Sequence, residues 1–132
     1  MTEKNNLKIL IVDDDKFLID MYSLKFSQEG YQVSVAGNGQ EAVDKIEKGE
    51  IPDIFLLDVI MPVMDGFALA EEIKKRASCS NAAVVILSNL GSKEDIDRGL
   101  ALGIDGYIIK ASSTPSEVVS KVADIIKTKN KN

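Results

Sequence analysis

Five short apolar runs, each followed by a segment with helical spacing, constrain the fold of this chain more than any other feature. The runs are Lys8–Val12, Gln32–Ala36, Ile54–Leu57, Ala83–Leu87 and Gly106–Ile109. They are rich in Val and Ile and more continuous than alternating, the pattern of parallel strands covered on both faces. Between them, apolar residues recur every three or four positions. Leu18, Met21 and Lys25-Phe26 follow the first run, and Ala42 and Ile46 the second. Phe67, Ala70 and Ile73-Lys74 follow the third, Ile96 and Leu100 the fourth, and Val118, Val122, Ile125 and Ile126 close the chain. Each set makes one apolar stripe on a helix. Gly30, Gly49 and Gly103 stand where helices should stop. Ser92 precedes an acidic first turn, and Thr114-Pro115-Ser116-Glu117 reads as a capping box with Pro at the first helical position. Strand and helix thus alternate five times. Right-handed crossovers turn that order into an α/β fold, a doubly wound parallel sheet with helices on both faces.

The 132 residues fit a single domain, with a core over about 7–127 and a polar tail over 128–132. The absence of His and the single Cys79 argue against a zinc site, a Ser-His-Asp triad and a Cys-His dyad. A net charge of −5 has the wrong sign for direct binding to nucleic acid or to an anionic membrane surface. The longest apolar run, Ala82–Leu87, is far short of the ~18 residues of a membrane span, and Met1–Asn6 has no apolar signal core. A cytoplasmic protein is expected, which also suits a lone Cys. Chemistry is left to carboxylates, hydroxyls and lysines.

Doubly wound sheets bind ligands beyond the carboxyl ends of their strands, where the strand order reverses. Here those ends are polar. Strand one ends in Asp13-Asp14-Asp15, strand three in Asp58, strand four in Ser88 and strand five in Lys110. In the flavodoxin-like order 2-1-3-4-5, strands one and three are neighbours, and Asp13, Asp14 and Asp58 converge. Converging carboxylates repel, and a hard divalent cation such as Mg²⁺ relieves the repulsion. A metal, a Lys and a hydroxyl together suit phosphoryl transfer, and one carboxylate can itself accept the phosphoryl group. Taken singly, each residue has a plainer reading. Asp15 caps the first helix, Asp58 is a loop carboxylate, Ser88 bonds to backbone, Lys110 is solvated, and Asp65-Gly66 is a turn and helix start.

Over about residues 7–127 the sequence resembles the receiver domain of two-component response regulators. The matching segments are Ile9–Asp15, Ala36–Ala42, Asp53–Gly66, Val84–Ser88 and Gly106–Lys110. The resemblance implies a flavodoxin-like (βα)5 fold of order 2-1-3-4-5. It implies that Asp58 is the phosphoacceptor, and that Asp13, Asp14, Asp58 and the backbone carbonyl of Ile60 hold Mg²⁺. By the same resemblance Lys110 contacts the phosphoryl group, Ser88 moves to bond it, and Tyr107 follows inward as the second switch residue. The implied partners are a sensor histidine kinase or His phosphotransfer domain, and a downstream protein or an output domain absent from this chain. The chain then catalyses only its own phosphorylation and dephosphorylation, and is not a turnover enzyme.

Several positions depart from the family pattern. Ala111 replaces the usual Pro after the Lys, Ser112 replaces an aromatic residue, and Asn89 stands where a small residue is common. Ile60 and Leu90 occupy positions that influence loss of the phosphoryl group; both are apolar, so slow self-dephosphorylation is expected. Other classes fit less well. A haloacid-dehalogenase-type phosphatase needs an acid where Ile60 stands, and a flavodoxin-like cofactor carrier would not face phosphate with Asp13–Asp15. The main alternative is a receiver-like interaction module that works without phosphorylation.

Overall fold

A computed structural model describes residues 6–130. The polar start of the chain, residues 1–5, and the last two residues of the tail lie outside the described residues. Five parallel strands run β1 Lys8–Val12, β2 Gln32–Ala36, β3 Ile54–Leu57, β4 Ala83–Ser88 and β5 Gly106–Ile109. They pair in the order β2-β1-β3-β4-β5. The helices are α1 Lys16–Gln28, α2 Gly39–Glu47, α3 Gly66–Lys74, α4 Lys93–Ala101 and α5 Pro115–Asn130, with short 3₁₀ turns at Ala77–Cys79 and Lys110–Ser112. The strand order and the alternation are those expected from the sequence.

The sheet separates two apolar clusters. Leu10, Val12, Phe55, Leu57, Val84 and Ile86 face α2 and α3, where they meet Ala42, Ile46, Phe67 and Ile73. The alternate residues Ile9, Ile11, Ile54, Leu56, Val85 and Leu87 face α1 and α5, against Ile19, Tyr22, Phe26, Val118 and Val122. Successive strand side chains point to opposite faces, so a strand buried on both must be apolar at every position. That accounts for the continuous runs in β1, β3 and β4. At the edge of the sheet β2 is largely exposed, and its apolar run overstated its burial.

Helix ends follow the chemistry read from sequence. Asp15, Asp65 and Ser92 cap α1, α3 and α4 through their side chains, and Asn38, which was not anticipated, caps α2. Thr114 and Glu117 form the reciprocal box, Thr114 N–H donating to Glu117 Oε1 at 2.7 Å and Glu117 N–H to Thr114 Oγ1 at 3.2 Å. Gly30, Gly49 and Gly103 have φ of 94°, 91° and 83°, the left-handed geometry of helix stops.

Three expectations are corrected. The buried stripe of α1 is Ile19, Tyr22 and Phe26; Leu18 and Met21 flank it and are only partly buried, so the helix is turned by one residue. In α4 Leu100 is 52% exposed and Gly99 is the one buried residue, because this helix meets the sheet through a close approach and not through an apolar stripe. The polar tail is helical as far as Asn130, with Lys129 Nζ 3.2 Å from Asp105 Oδ1. That ion pair and the half-buried Ile125 and Ile126 hold the last turns of α5 against the domain.

Candidate functional site

The C-terminal ends of β1, β3, β4 and β5 deliver Asp13, Asp58, Ser88 and Lys110 to one edge of the sheet. The backbone ladder sets the spacing: Val12 pairs with Leu57, and Asp58 N–H donates to the Val12 carbonyl at 2.9 Å. Asp13 N–H is held by the Ala36 carbonyl at 3.2 Å, and Asp13 Oδ1 accepts from Asp15 N–H at 2.9 Å, which fixes its carboxylate. Asp15 turns away and caps α1, accepting from Phe17 and Leu18 N–H at 3.0 and 3.2 Å. This matches its plainer reading and leaves Asp13 and Asp14 for the site.

The loop after β3 is anchored at Gly66. Its N–H donates to the Val59 carbonyl at 2.9 Å, and Asp65 caps α3 by accepting from Ala68 N–H at 2.8 Å. A Cβ at Gly66 would lie 2.1 Å from the Asp58 carbonyl oxygen. Within the loop, Val63 has φ 69° and is fully exposed. A β-branched residue is strained there, and nothing packs on it in return. Val63→Asn is expected to raise unfolding stability by about 1 kcal/mol in urea titration, since Asn tolerates this backbone.

One oxygen from each of Asp13, Asp14 and Asp58 lies within 4.8 Å of the others; Asp13 and Asp58 are buried and Asp14 is exposed. Lys110 Nζ sits 2.8 Å from Asp13 Oδ2 and 3.4 Å from Asp58 Oδ1. One ammonium therefore contacts two of the three carboxylates. Burial pushes the Asp58 carboxyl above its ordinary pKa and the Asp13 charge adds to this, while Lys110 opposes it. Burial works against the Lys110 charge, yet its hydrogen bond to Asp13 and the field of Asp58 raise its pKa above the ordinary value. The surplus of negative charge, carried on oxygen ligands with one exposed carboxylate, fits a hard divalent cation of the Mg²⁺ class. The Ile60 carbonyl accepts no hydrogen bond among the described residues, whereas that of Val59 is taken by Gly66.

Ser88 is fully buried, and its Oγ accepts from Leu90 N–H at 3.2 Å. In this structure it makes the backbone contact of the plainer reading. The Tyr107 hydroxyl donates to the Leu90 carbonyl. Leu90 thus ties Ser88 to Tyr107 through its two backbone groups, a role no side-chain reading of the sequence could give it. Asn89 is exposed, and no peptide bond among the described residues is cis, so the Lys110–Ala111 bond is trans. Around the mouth of the site Phe17 and Ile60 are 75% and 61% exposed, an apolar rim to an acidic centre. Val63 was missed because the turn signal of Asp65-Gly66 does not reveal which residue of the loop takes the left-handed conformation.

Comparison with known proteins places these features. The profile of the response regulator receiver domain matches residues 9–123. A probable transcriptional regulator, ycf27 of Guillardia theta, is 35% identical over 124 residues, covering 94% of this chain and 47% of the relative. The homologous regulator of Cyanophora paradoxa is 34% identical, covering 95% of this chain and 50% of the relative. The chain spans about half the length of these curated relatives. Among solved structures, the receiver domain of the Francisella response regulator 1452 superposes with TM-score 0.82 at 32% identity, covering 93% of this chain and 98% of that one. The chemotaxis protein CheY4 of Vibrio cholerae gives 0.83 at 28% identity, covering 92% and 99%.

Proposed function

The chain belongs to the response regulator receiver family of two-component signalling, and from that premise we propose that Asp58 is its phosphoacceptor. The observation that carries this reading is the ammonium of Lys110, set between the buried carboxylates of Asp13 and Asp58. An Asp58 oxygen attacks phosphorus, an O–P bond forms, and the N–P bond to a donor histidine breaks with its electron pair left on the imidazole. Lys110 offsets part of the rise that burial gives the Asp58 pKa, and its ammonium is positioned to bind a phosphoryl oxygen. Asp13, Asp14, Asp58 and the Ile60 carbonyl would hold Mg²⁺. When bound, that ion offsets negative charge on the acceptor and on the incoming oxygens. Ser88, whose Oγ accepts from Leu90 N–H, then donates its own hydrogen to a phosphoryl oxygen, and Tyr107 carries the change to the face formed by α4, β5 and α5.

The donor is a sensor histidine kinase or a His phosphotransfer domain. The apolar rim of Phe17 and Ile60 suits docking of such a partner next to the acceptor. Downstream, the change is read by another protein or by an output domain, as the greater length of the curated relatives suggests. The chain acts as a catalyst on itself alone. No helix among the described residues is long and apolar enough to cross a membrane, and a cytoplasmic site of action is part of this proposal. One domain over 1–132 is proposed likewise.

Mg²⁺ is expected to stabilise the protein against urea by about 2.7 kcal/mol at one hundred times its dissociation constant. Asp14→Asn should abolish most of that gain. A wild-type protein whose unfolding ignores Mg²⁺ would count against the metal assignment. Ile60 at the mouth leaves attacking water without a polar partner, so the phosphoryl group should be long-lived. Ile60→Asn should shorten its lifetime roughly tenfold, about 1.4 kcal/mol off the barrier, followed as loss of phosphoprotein with time. A second reading, an interaction module independent of phosphate, draws on Asn89 beside Ser88, a bulkier residue than a donor would pass easily. Full uptake from a small phosphodonor would dispose of it.

A further inference from the structure

We infer that Gly99 is a positioning residue for the switch, its missing Cβ being what seats the Tyr107 ring against α4 with its hydroxyl on Leu90. The inference rests on the phosphoacceptor reading for its consequence, but not for its geometry. Gly99 lies inside α4 (Lys93–Ala101), where Gly is among the poorest helix formers. Helix termination does not call for it, because Gly103, at φ 83°, already supplies the left-handed stop. Gly99 is nonetheless the one buried residue of the helix.

Space explains the choice. A Cβ at Gly99 would lie 3.1 Å from Tyr107 Cδ2, 3.3 Å from Tyr107 Cε2 and 3.1 Å from Ile104 Cδ1. The Ile104 methyl is buried, but it ends a side chain that can turn by the few tenths of an ångström required. The tyrosine ring is fixed at both ends, by the pairing of its residue with Ile86 in β4 and by its hydroxyl on the Leu90 carbonyl. A ring moved off a new methyl group by the few tenths of an ångström required strains that hydrogen bond. Leu90 N–H is in turn the donor to Ser88 Oγ, so the α4 backbone, Tyr107, Leu90 and Ser88 form one connected chain of contacts leading toward Asp58. Gly99 thereby sets how readily Tyr107 occupies the inward position that Ser88 can sense.

The test compares Gly99→Ala in the wild-type and Tyr107→Ala backgrounds. Its readouts are Tyr107 ring NMR signals in the free protein, binding of beryllofluoride with Mg²⁺ as phosphoryl mimic, and urea unfolding. With Tyr107 present, Gly99→Ala should shift the ring signals toward a solvent-exposed environment and weaken mimic binding about fivefold, the lower end of typical couplings between sites. With Tyr107→Ala the same substitution should leave mimic binding unchanged and raise stability, as expected for Ala in a helix. Unchanged ring signals, or an equal loss of binding in both backgrounds, would overturn the inference. Failure of the wild type to bind the mimic would count against the phosphoacceptor reading instead, and the ring signals would still decide the role of Gly99.

Discussion

Gly66→Ala is expected to destabilise the protein by about 3 kcal/mol or more and to remove phosphoryl uptake with it. The reason is room, not backbone conformation. The added Cβ would lie 2.1 Å from the Asp58 carbonyl oxygen, 2.8 Å from Val59 Cα and 2.9 Å from the Asp58 carbonyl carbon. All three are main-chain atoms, held by the ladder bond from Asp58 N–H to Val12 and by the bond from Gly66 N–H to Val59. A flexible side chain could swing aside, but this backbone cannot move without displacing Asp58 relative to Asp13. Gly49→Ala is the control. Nothing lies within 4 Å of a Cβ there, and φ is +91°. It should cost only the ~1–2 kcal/mol of a left-handed residue and leave phosphoryl uptake intact. Urea midpoints and phosphoryl uptake for the two variants make the comparison. Equal effects on uptake would contradict the account of the loop.

Lys110→Met should slow phosphoryl transfer to Asp58 by roughly 10²–10³, the usual cost of losing one preorganised charge-stabilising donor. It should also alter the pH dependence of stability. Burial raises the Asp58 pKa in the folded protein, and Lys110 is the main influence holding it down. Without the ammonium, the folded state holds this proton more tightly still. Between the unfolded and folded pKa values the folded state then binds more protons than the unfolded state, so stability falls as pH rises through that window. The variant should therefore lose stability as pH rises through that window without Mg²⁺, and should regain it as the solution is acidified toward the unfolded pKa. Wild type should show the same sign with a smaller amplitude. Urea titrations across that pH range, with and without Mg²⁺, would measure it. A variant whose stability has the pH dependence of wild type would mean that Lys110 is not compensating the carboxylates.

The fold was legible because burial on both faces of a parallel sheet forces continuous apolar runs, and β1, β3 and β4 carry them without interruption. The caps at Asp15, Ser92 and Thr114 were legible for a similar reason: few side chains can satisfy the free N–H groups of a helix start. The site was legible as a list of strand ends, because topology alone brings Asp13, Asp58, Ser88 and Lys110 to one edge. Its finer wiring was not. The link through Leu90 is made by backbone groups, which any residue type supplies. The seat at Gly99 depends on a ring arriving from β5, and the strain at Val63 depends on how the β3–α3 loop closes. The rotation of α1 was missed because Leu18 and Met21 are as apolar as Ile19 and Tyr22, and a helix with apolar residues on several faces does not declare which one is inside. The helical end of α5 was missed because Lys129 gains an acidic partner, Asp105, that is distant in sequence.

The measurement that bears most directly on the central claim is the intact mass of the protein after incubation with a small phosphodonor. It would be made with and without Mg²⁺, beside Asp58→Asn. The account predicts a gain of one phosphoryl group in wild type, dependent on Mg²⁺, and none in Asp58→Asn. A gain that persists in Asp58→Asn, or no gain in a wild-type protein that binds Mg²⁺, would contradict it.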